Sequence, residues 1–273
     1  MSAAPQPDLI FDVGAHRGED SAFYLKAGYR VVAVEANPQL AAALRKRFAD
    51  EIEQGHYCLI EQAIAARKGT VRFFINDTVS DWGTADPDWA ARNARFGAPS
   101  RPIDVAADRF STMLEAHGCP HYCKIDVEGA DHLCLQAMGE TAFRPRYLSI
   151  ETSGRSWREL KAEFALLQAL GYTRFKIADQ SRHPRGPFTG KDGRRFEHEM
   201  PMGASGPFGE DVPGEWLTAR QAIGRYRRIY VVYALYGNRA LLRRVVMALP
   251  LLRRLERLVT WHDTHARHGT AGE

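Results

Sequence analysis

The sequence predicts an α/β fold: a mostly parallel sheet of about seven strands with helices on both faces. Short apolar runs rich in β-formers alternate with helix-periodic segments across short connectors, the pattern of a parallel sheet. A composition of 45% hydrophobic and 26% charged residues supplies a substantial core and excludes a disordered or fibrous chain. Two irregular stretches, 76–102 and 180–213, interrupt the alternation without ending it.

Taken in order, Leu9 to Val13 is a strand stopped by Gly14, and Gly18 to Ala27 is a helix closed at Gly28. Val31 to Val34 is a second strand. After Asn37-Pro38 a helix reaches Asp50, with Leu40, Leu44 and Phe48 at four-residue steps. Tyr57 to Glu61 is a third strand. Thr70 to Ile75, after the Lys68-Gly69 turn, reads as an edge or hairpin element. The stretch 76–102, with Trp82 and Trp89, resembles an active-site loop or lid. Regularity resumes with a helix from Asp108 to His117, a strand from Tyr122 to Val127, a helix from His132 to Met138 and a strand from Tyr147 to Glu151. A helix from Trp157 to Leu170 ends at Gly171 and leads into a strand from Tyr172 to Ile177. Beyond the second irregular stretch, Arg227 to Tyr236 is expected to be the last strand.

From Asn238 onward Leu241, Leu242, Val245, Val246, Leu249 and Leu252 recur at helical spacing between arginines, with a break at Pro250. The expected organisation is therefore a domain over 1–237, enlarged by lid insertions 76–102 and 180–213, and a basic amphipathic helical tail over 238–273. Packing of the tail's apolar stripe on this chain or on a second copy is expected ahead of peripheral contact with a membrane or an acidic partner. His262, His265 and His268 with Asp263 are expected to be solvated in that tail.

The net charge of +4, from 37 basic and 33 acidic residues, is too mild for a dedicated nucleic-acid binder. Four cysteines are too few and too uneven for a disulfide framework. Cys119 and Cys123, with His117 and His121 between and beside them, lack a second ligand pair at zinc-finger distance, so reduced and partly buried thiols are expected. No basic and apolar leader opens the sequence and no apolar run approaches the about 18 residues of a membrane span, so a soluble, cytoplasmic protein is expected.

The chemistry concentrates at strand ends. Asp12 to Ser21, D-V-G-A-H-R-G-E-D-S, follows the first strand and opens a helix, which offers backbone N–H groups and close approach to a ligand. Its glycines, Gly14 and Gly18, lack the three-glycine arrangement of a pyrophosphate site, which disfavours NAD and FAD. Asp12 at that position suits instead a cationic amino-acid moiety such as that of S-adenosylmethionine. Glu35 ends the second strand in V-V-A-V-E-A-N-P, where a carboxylate can hold a ribose diol, flanked by Ala36 and Asn37. Gln62 and Ala63 follow the third strand, where small side chains could line an adenine pocket. In C-K-I-D-V-E-G-A-D, Lys124, Asp126 and Glu128 alternate on one strand face, and Glu151 ends the next strand toward the same crevice. Ionisable groups so placed are either functional or joined in a salt bridge of Lys124 with Asp126, Glu128 or Glu151 that fixes the sheet end.

These motifs, with the Q-A-I-x4-G stretch from Gln62 to Gly69 and Y-L-S-I-E, resemble in order and spacing the FkbM family of S-adenosylmethionine-dependent methyltransferases. The resemblance runs from about Asp8 to Ile177, and K-I-D-V-E-G is its most specific part. It implies a Rossmann-like class I methyltransferase fold and methylation of an oxygen, typically a hydroxyl of a sugar or natural product. By that similarity Asp12, Gly14 and Gly18 surround the methionine end of the cofactor, Glu35 the ribose, Ala63 the adenine, and Asp126 the transfer site; Ala15, His16, Ala36, Asn37 and Gln62 beside them are further candidate cofactor contacts. His16-Arg17 and the long 180–213 insertion depart from the family's usual pattern.

An alcohol acceptor calls for a base, and Asp126, Glu128, Glu151 and His198 are the candidates, with Lys124 beside them. Glu197 and Glu199 would favour a protonated His198. Asp126 and Glu151 could instead hold a divalent metal, which is not favoured. Trp82, Phe208 and Trp216 are expected to cover a small-molecule or saccharide acceptor. Methylation of a peptide or protein side chain, or a non-catalytic cofactor-binding role, are the alternatives.

Overall fold

The computed structural model describes residues 4–152, 156–181, 186–201, 204–236 and 262–269. Strands β1 (Gln6–Val13), β2 (Arg30–Val34) and β3 (Tyr57–Ile60) alternate with helices α1 (Glu19–Lys26), α2 (Pro38–Arg47) and the short α3 (Ala49–Glu53). Then come β4 (Ala63–Ile64), β5 (Gly69–Asn76), α4 (Pro87–Arg95), β6 (Ser100–Asp108), α5 (Phe110–His117), β7 (Pro120–Ile125), α6 (Asp131–Gly139) and β8 (Tyr147–Glu151). The chain continues through α7 (Trp157–Ala169), β9 (Tyr172–Asp179), β10 (Phe188–Thr189), β11 (Arg195–Phe196), α8 (Ala219–Tyr236) and β12 (His262–His268).

The main sheet has seven strands in the order β3-β2-β1-β7-β8-β12-β9. Only β12 runs antiparallel within it, between β8 and β9. Reversal of strand order beside β1 opens the crevice at the carboxyl ends of β1 and β7, the usual ligand position in such sheets.

The period of two along each strand divides the core. Leu9, Phe11 and Val13 of β1 and Val32 and Val34 of β2 face one apolar layer, which also buries Leu114, Leu135, Phe164 and Ala222 from α5, α6, α7 and α8. Ile10, Val31 and Ala33 face the other, with Phe23, Tyr24 and Leu44 of α1 and α2. Helix starts follow local chemistry. Asn37 accepts the Gln39 N–H before Pro38, Asp86 accepts the Asp88 N–H before Pro87, and Ser156 and Glu159 form a reciprocal capping box.

Three expectations change. The 227–236 segment is helical, because Ala222, Tyr226 and Ile229 recur at three- and four-residue steps and bury against Phe164 and neighbouring side chains. The last strand is β12, which lies within the segment expected to be a helical tail; the 238–261 part of that expectation falls outside the described residues. His262 and His265 are therefore buried in the sheet and His268 is partly buried, and none is solvated. The first insertion is also more ordered than a lid: it contains α4, and β6 pairs antiparallel with β5 along Gly69–Asn76.

The four cysteines are free thiols, three of them buried, and Cys119 and Cys123 point to main-chain carbonyls. Among the described residues, no helix is long and apolar enough to cross a membrane.

Candidate active site

The turn after β1 is shaped by the approach of β7. Gly14 has φ +85°, and a Cβ there would stand 1.8 Å from the Asp126 carbonyl oxygen, so only glycine fits. Gly14 and Ala15 donate their N–H groups to the Val34 carbonyl at 2.9 and 3.0 Å, tying the loop to the end of β2. Gly18, at φ +79°, starts α1 with its Cα against Phe48 and Leu44.

Glu35 is buried where that loop meets β2. One carboxylate oxygen accepts the His16 N–H and the other the Asn37 N–H, both at 2.8 Å. Burial pushes this carboxyl up, and the two N–H donors work against the rise. Each oxygen keeps acceptor capacity beyond its one backbone donor.

Lys124 lies at the centre of the crevice floor. Its Nζ is 3.3 Å from Asp12, 3.5 Å from Asp20 and 3.6 Å from Asp126, and it donates to the Gly14 carbonyl at 3.1 Å. Burial alone would lower the ammonium, but Asp12, Asp126 and Asp20 outweigh it and hold it well above its ordinary value. Asp12 also accepts the Ser21 hydroxyl at 2.6 Å, and burial raises its carboxyl against the pull of Lys124. The salt-bridge reading of Lys124 is thus met at Asp126, and extended to Asp12 and Asp20.

Over this floor lies a cavity of about 450 Å³, within the range of small-molecule sites. Gly14, Ala15, His16, Glu35, Ala36, Asn37, Gln62 and Ala63, at or after β1 to β3, line it together with Lys124, Asp126, Glu128 and Glu151, at or after β7 and β8, and with Trp82. Asp126 and Glu128 sit in the turn beyond β7 rather than on the strand, and Glu128 has φ +31°. Its carbonyl accepts the Thr84 hydroxyl at 2.6 Å, which binds that turn to the first insertion. On the other side His16 meets the Ser80 hydroxyl at 2.9 Å, so the loop and the Ser80–Trp82 turn close over the cavity together.

Glu151 is pushed well above the ordinary carboxylate range, first by burial and then by the carboxylates of Asp126, Glu128 and Asp263. Burial likewise raises Asp126, with Lys124 opposing.

Several expected residues lie elsewhere. Asp12 and Gly18 do not line the cavity: Asp12 is sealed beneath Lys124, and Asp20, eight residues on in the first turn of α1, is the carboxylate that reaches it. Phe208 stacks on Tyr122 at 4.2 Å between ring centroids, and Trp216 stacks on Tyr147 and hydrogen-bonds Glu210, so neither covers the cavity. His198 packs edge-on against Phe23 outside the cavity. Burial, with Lys26 and Arg47, lowers it, contrary to the protonated form expected from its glutamate neighbours. Trp89 packs against Gly129. Among the described residues no group of three or more His, Cys, Asp or Glu side chains is arranged to hold a metal ion. Asp126 instead faces an ammonium, which satisfies its charge. Asp20, Gln180 and Ala204 are lining residues that sequence reasoning missed. The place of Asp20 in the first turn of the helix that opens after the Gly14 to Gly18 loop is the one signal that could have found any of them.

A seven-stranded sheet with this order, a glycine turn after β1, an acid at the end of β2 and an acidic crevice floor define a class I S-adenosylmethionine-dependent methyltransferase. The chain belongs to the FkbM methyltransferase family, whose domain matches residues 12–174. No protein of curated function matches its sequence. Among solved structures it is similar to precorrin-6y C5,15-methyltransferase from Geobacter metallireducens, at 14% identity and TM-score 0.37, over 71% of this chain and 77% of that one. It is also similar to a SAM dependent methyltransferase from Archaeoglobus fulgidus, at 9% identity and TM-score 0.38, over 96% and 87% of the two chains. These likenesses are distant, and the family follows from the sequence match.

The residues fit the cofactor. Glu35 retains acceptor capacity toward the cavity, and Asp20 and Asp126 supply negative charge where an ammonium and a sulfonium would lie. The Lys124 charge does not oppose this, because three carboxylates surround it.

Proposed function

We propose that the enzyme methylates a hydroxyl of a saccharide or natural-product small molecule, with Glu151 as general base. The observation that carries the reading is the Glu151 carboxyl, which lines the cavity beside Asp126 and has a raised proton affinity. A base serves best when its pKa lies near the working pH, and a neutral alcohol is too weak a nucleophile to do without one.

In this reading Glu35 accepts hydrogen bonds from the ribose hydroxyls, Ala36, Asn37, Gln62 and Ala63 border the adenosine, and Gly14 to His16 bound the amino-acid end. Asp20 and Asp126 face its positive charges. When bound, S-adenosylmethionine supplies an electrophilic methyl group on sulfur. The chain holds the acceptor oxygen in line behind that methyl, and orientation of this kind accounts for much of the rate. As the oxygen–carbon bond forms and the sulfur–carbon bond breaks, Glu151 takes the hydroxyl proton. Trp82 and the Ser80 contact to His16 restrict water at the cavity margin.

The test is a screen of hydroxylated glycosides and phenolic natural products, peptides included as controls, with methyl-labelled S-adenosylmethionine. Label on an oxygen of a small molecule supports the reading; label confined to a peptide side chain overturns it.

A further inference from the structure

Gln180 has no role in the chemistry described so far. It follows the last residue of β9, is buried, and lines the cavity. In the sheet order Glu35 belongs to the β2 side, whereas Glu151 and Gln180 lie at the ends of β8 and β9. Gln180 therefore faces the half of the cavity left to the acceptor, and the inference rests on the methyl-transfer reading of that cavity.

The amide of Gln180 has a fixed direction. Its Nε2 donates to Asp263 Oδ1 at 2.6 Å. Once Asp263 is ionised, above about pH 7, its carboxylate only accepts, so the nitrogen is turned to Asp263 and the carbonyl oxygen away from it. Among the described residues no donor meets Oε1, and it is not among the polar atoms sealed inside the protein, so it opens on the cavity. Asp263 is itself immobile: β12 pairs it with Glu151 on one side and Ala178 on the other. Next to it, Asp20 accepts the Ser205 and Gly206 N–H groups, both at 3.0 Å, and Ala204 lines the cavity. Two carboxylates thus hold the 180–213 insertion, Asp263 at its first residue and Asp20 at Ser205 and Gly206.

Among the described residues that wall presents mainly acceptors. Asp20, Asp126, Glu128, Glu151 and the Gln180 carbonyl face the space, and Lys124, the cation among them, is engaged by Asp12, Asp20 and Asp126. Arg17, the other lining cation among the described residues, lies on the cofactor loop and meets Ser80, as does the His16 ring.

We infer that Gln180, oriented by Asp263, determines acceptor specificity: its Oε1 accepts a hydrogen bond from an acceptor hydroxyl, so the site takes an uncharged polyol face and rejects a carboxylate or phosphate there. Asp263 is a positioning residue, which acts through Gln180 without touching the acceptor.

The experiment compares the parent enzyme, Gln180→Leu and Asp263→Asn on neutral methyl glycosides and the matching uronates with labelled S-adenosylmethionine, alongside calorimetry with S-adenosylhomocysteine. The parent methylates neutral glycosides and not uronates. Loss of one hydrogen bond in Gln180→Leu raises the acceptor KM about tenfold, with kcat and cofactor affinity within about twofold of the parent. Asp263→Asn raises the same KM, because an amide partner no longer dictates which way Gln180 points. Equal turnover of uronates, or an unchanged KM in Gln180→Leu, overturns the inference. If the parent methylates no glycoside in the panel, the saccharide form of the O-methylation reading fails. The coupling is then read separately from the infrared band of the protonated Asp263 carboxyl, identified by its loss in Asp263→Asn. Gln180→Leu moves the midpoint of that band to higher pH, and an unmoved midpoint overturns the coupling.

Discussion

Asp263 and Glu151 stand directly opposite each other in the antiparallel ladder between β12 and β8. A strand from near the end of the chain thus brings a carboxyl against the one that ends β8 at the cavity. Burial and the Asp126 carboxylate push Asp263 up to about 7, while Gln180 and Ser205 hold it down. Asp126, Glu151 and Asp263 are close enough to titrate as a group, with apparent pKa values that belong to the cluster.

A stability prediction follows from the sign of that shift. Asp263 binds its proton more tightly folded than unfolded, so its contribution is present below about pH 4 and is lost as the pH rises toward 7. Asp263→Asn is expected to lose less stability than the parent between pH 5 and pH 8, measured by urea unfolding at both values. Equal losses contradict the raised carboxyl.

Lys124→Met leaves the buried Asp12 and Asp20 and the partly buried Asp126 around an uncharged side chain. Breaking a buried ion pair from one side costs about 3–5 kcal/mol, and chemical denaturation at pH 7 is expected to show a loss of that order. The loss shrinks at acid pH, where the carboxylates are protonated.

At Gly14 the Asp126 carbonyl, just beyond β7, leaves no room for a side chain. Gly14→Ala combines that clash with a positive φ and is expected to cost roughly 2 kcal/mol or more. Thermal unfolding checks it, and S-adenosylmethionine affinity falls with it because the Gly14 to Glu35 loop is displaced.

Glu35→Ala removes the acceptor for two backbone N–H groups as well as for the ribose. S-adenosylhomocysteine affinity is expected to drop about 10- to 100-fold by calorimetry, one to two hydrogen-bond equivalents to a charged group. An unchanged Kd would place the ribose elsewhere.

Three of the strand ends that carry the chemistry were legible in the sequence, because the apolar run stops at a glycine or an acid: Val13 at Gly14, Val34 at Glu35 and Ile150 at Glu151; β7 ends at Ile125, two residues before the expected Val127, because apolar Val127 continues the alternation past Asp126. The later part of the fold was not. Ile229 to Tyr233 is β-branched and aromatic, so local composition favours a strand, yet burial of Ala222, Tyr226 and Ile229 on one face makes a helix. His262 to His268 looks solvated by composition. It is a buried strand because its polar groups find partners, Thr264 with Thr152 and Tyr226, and Asp263 with Gln180. Phe208 and Trp216 stand in a segment rich in glycine and proline, which suggests a lid. Stacking on Tyr122 and Tyr147 instead draws them onto the sheet, and no local pattern signals such long-range partners.

The most direct test of methyl transfer in this cavity is the rate of label transfer from S-adenosylmethionine by Glu151→Gln, measured with its S-adenosylhomocysteine affinity. Removal of a general base is expected to lower turnover about 10²- to 10⁴-fold while cofactor affinity stays within about twofold of the parent. The parent's rate rises with pH along a limb above the ordinary carboxylate range, and the variant lacks that limb. Unchanged turnover in Glu151→Gln, with the parent's pH limb intact, would contradict the account.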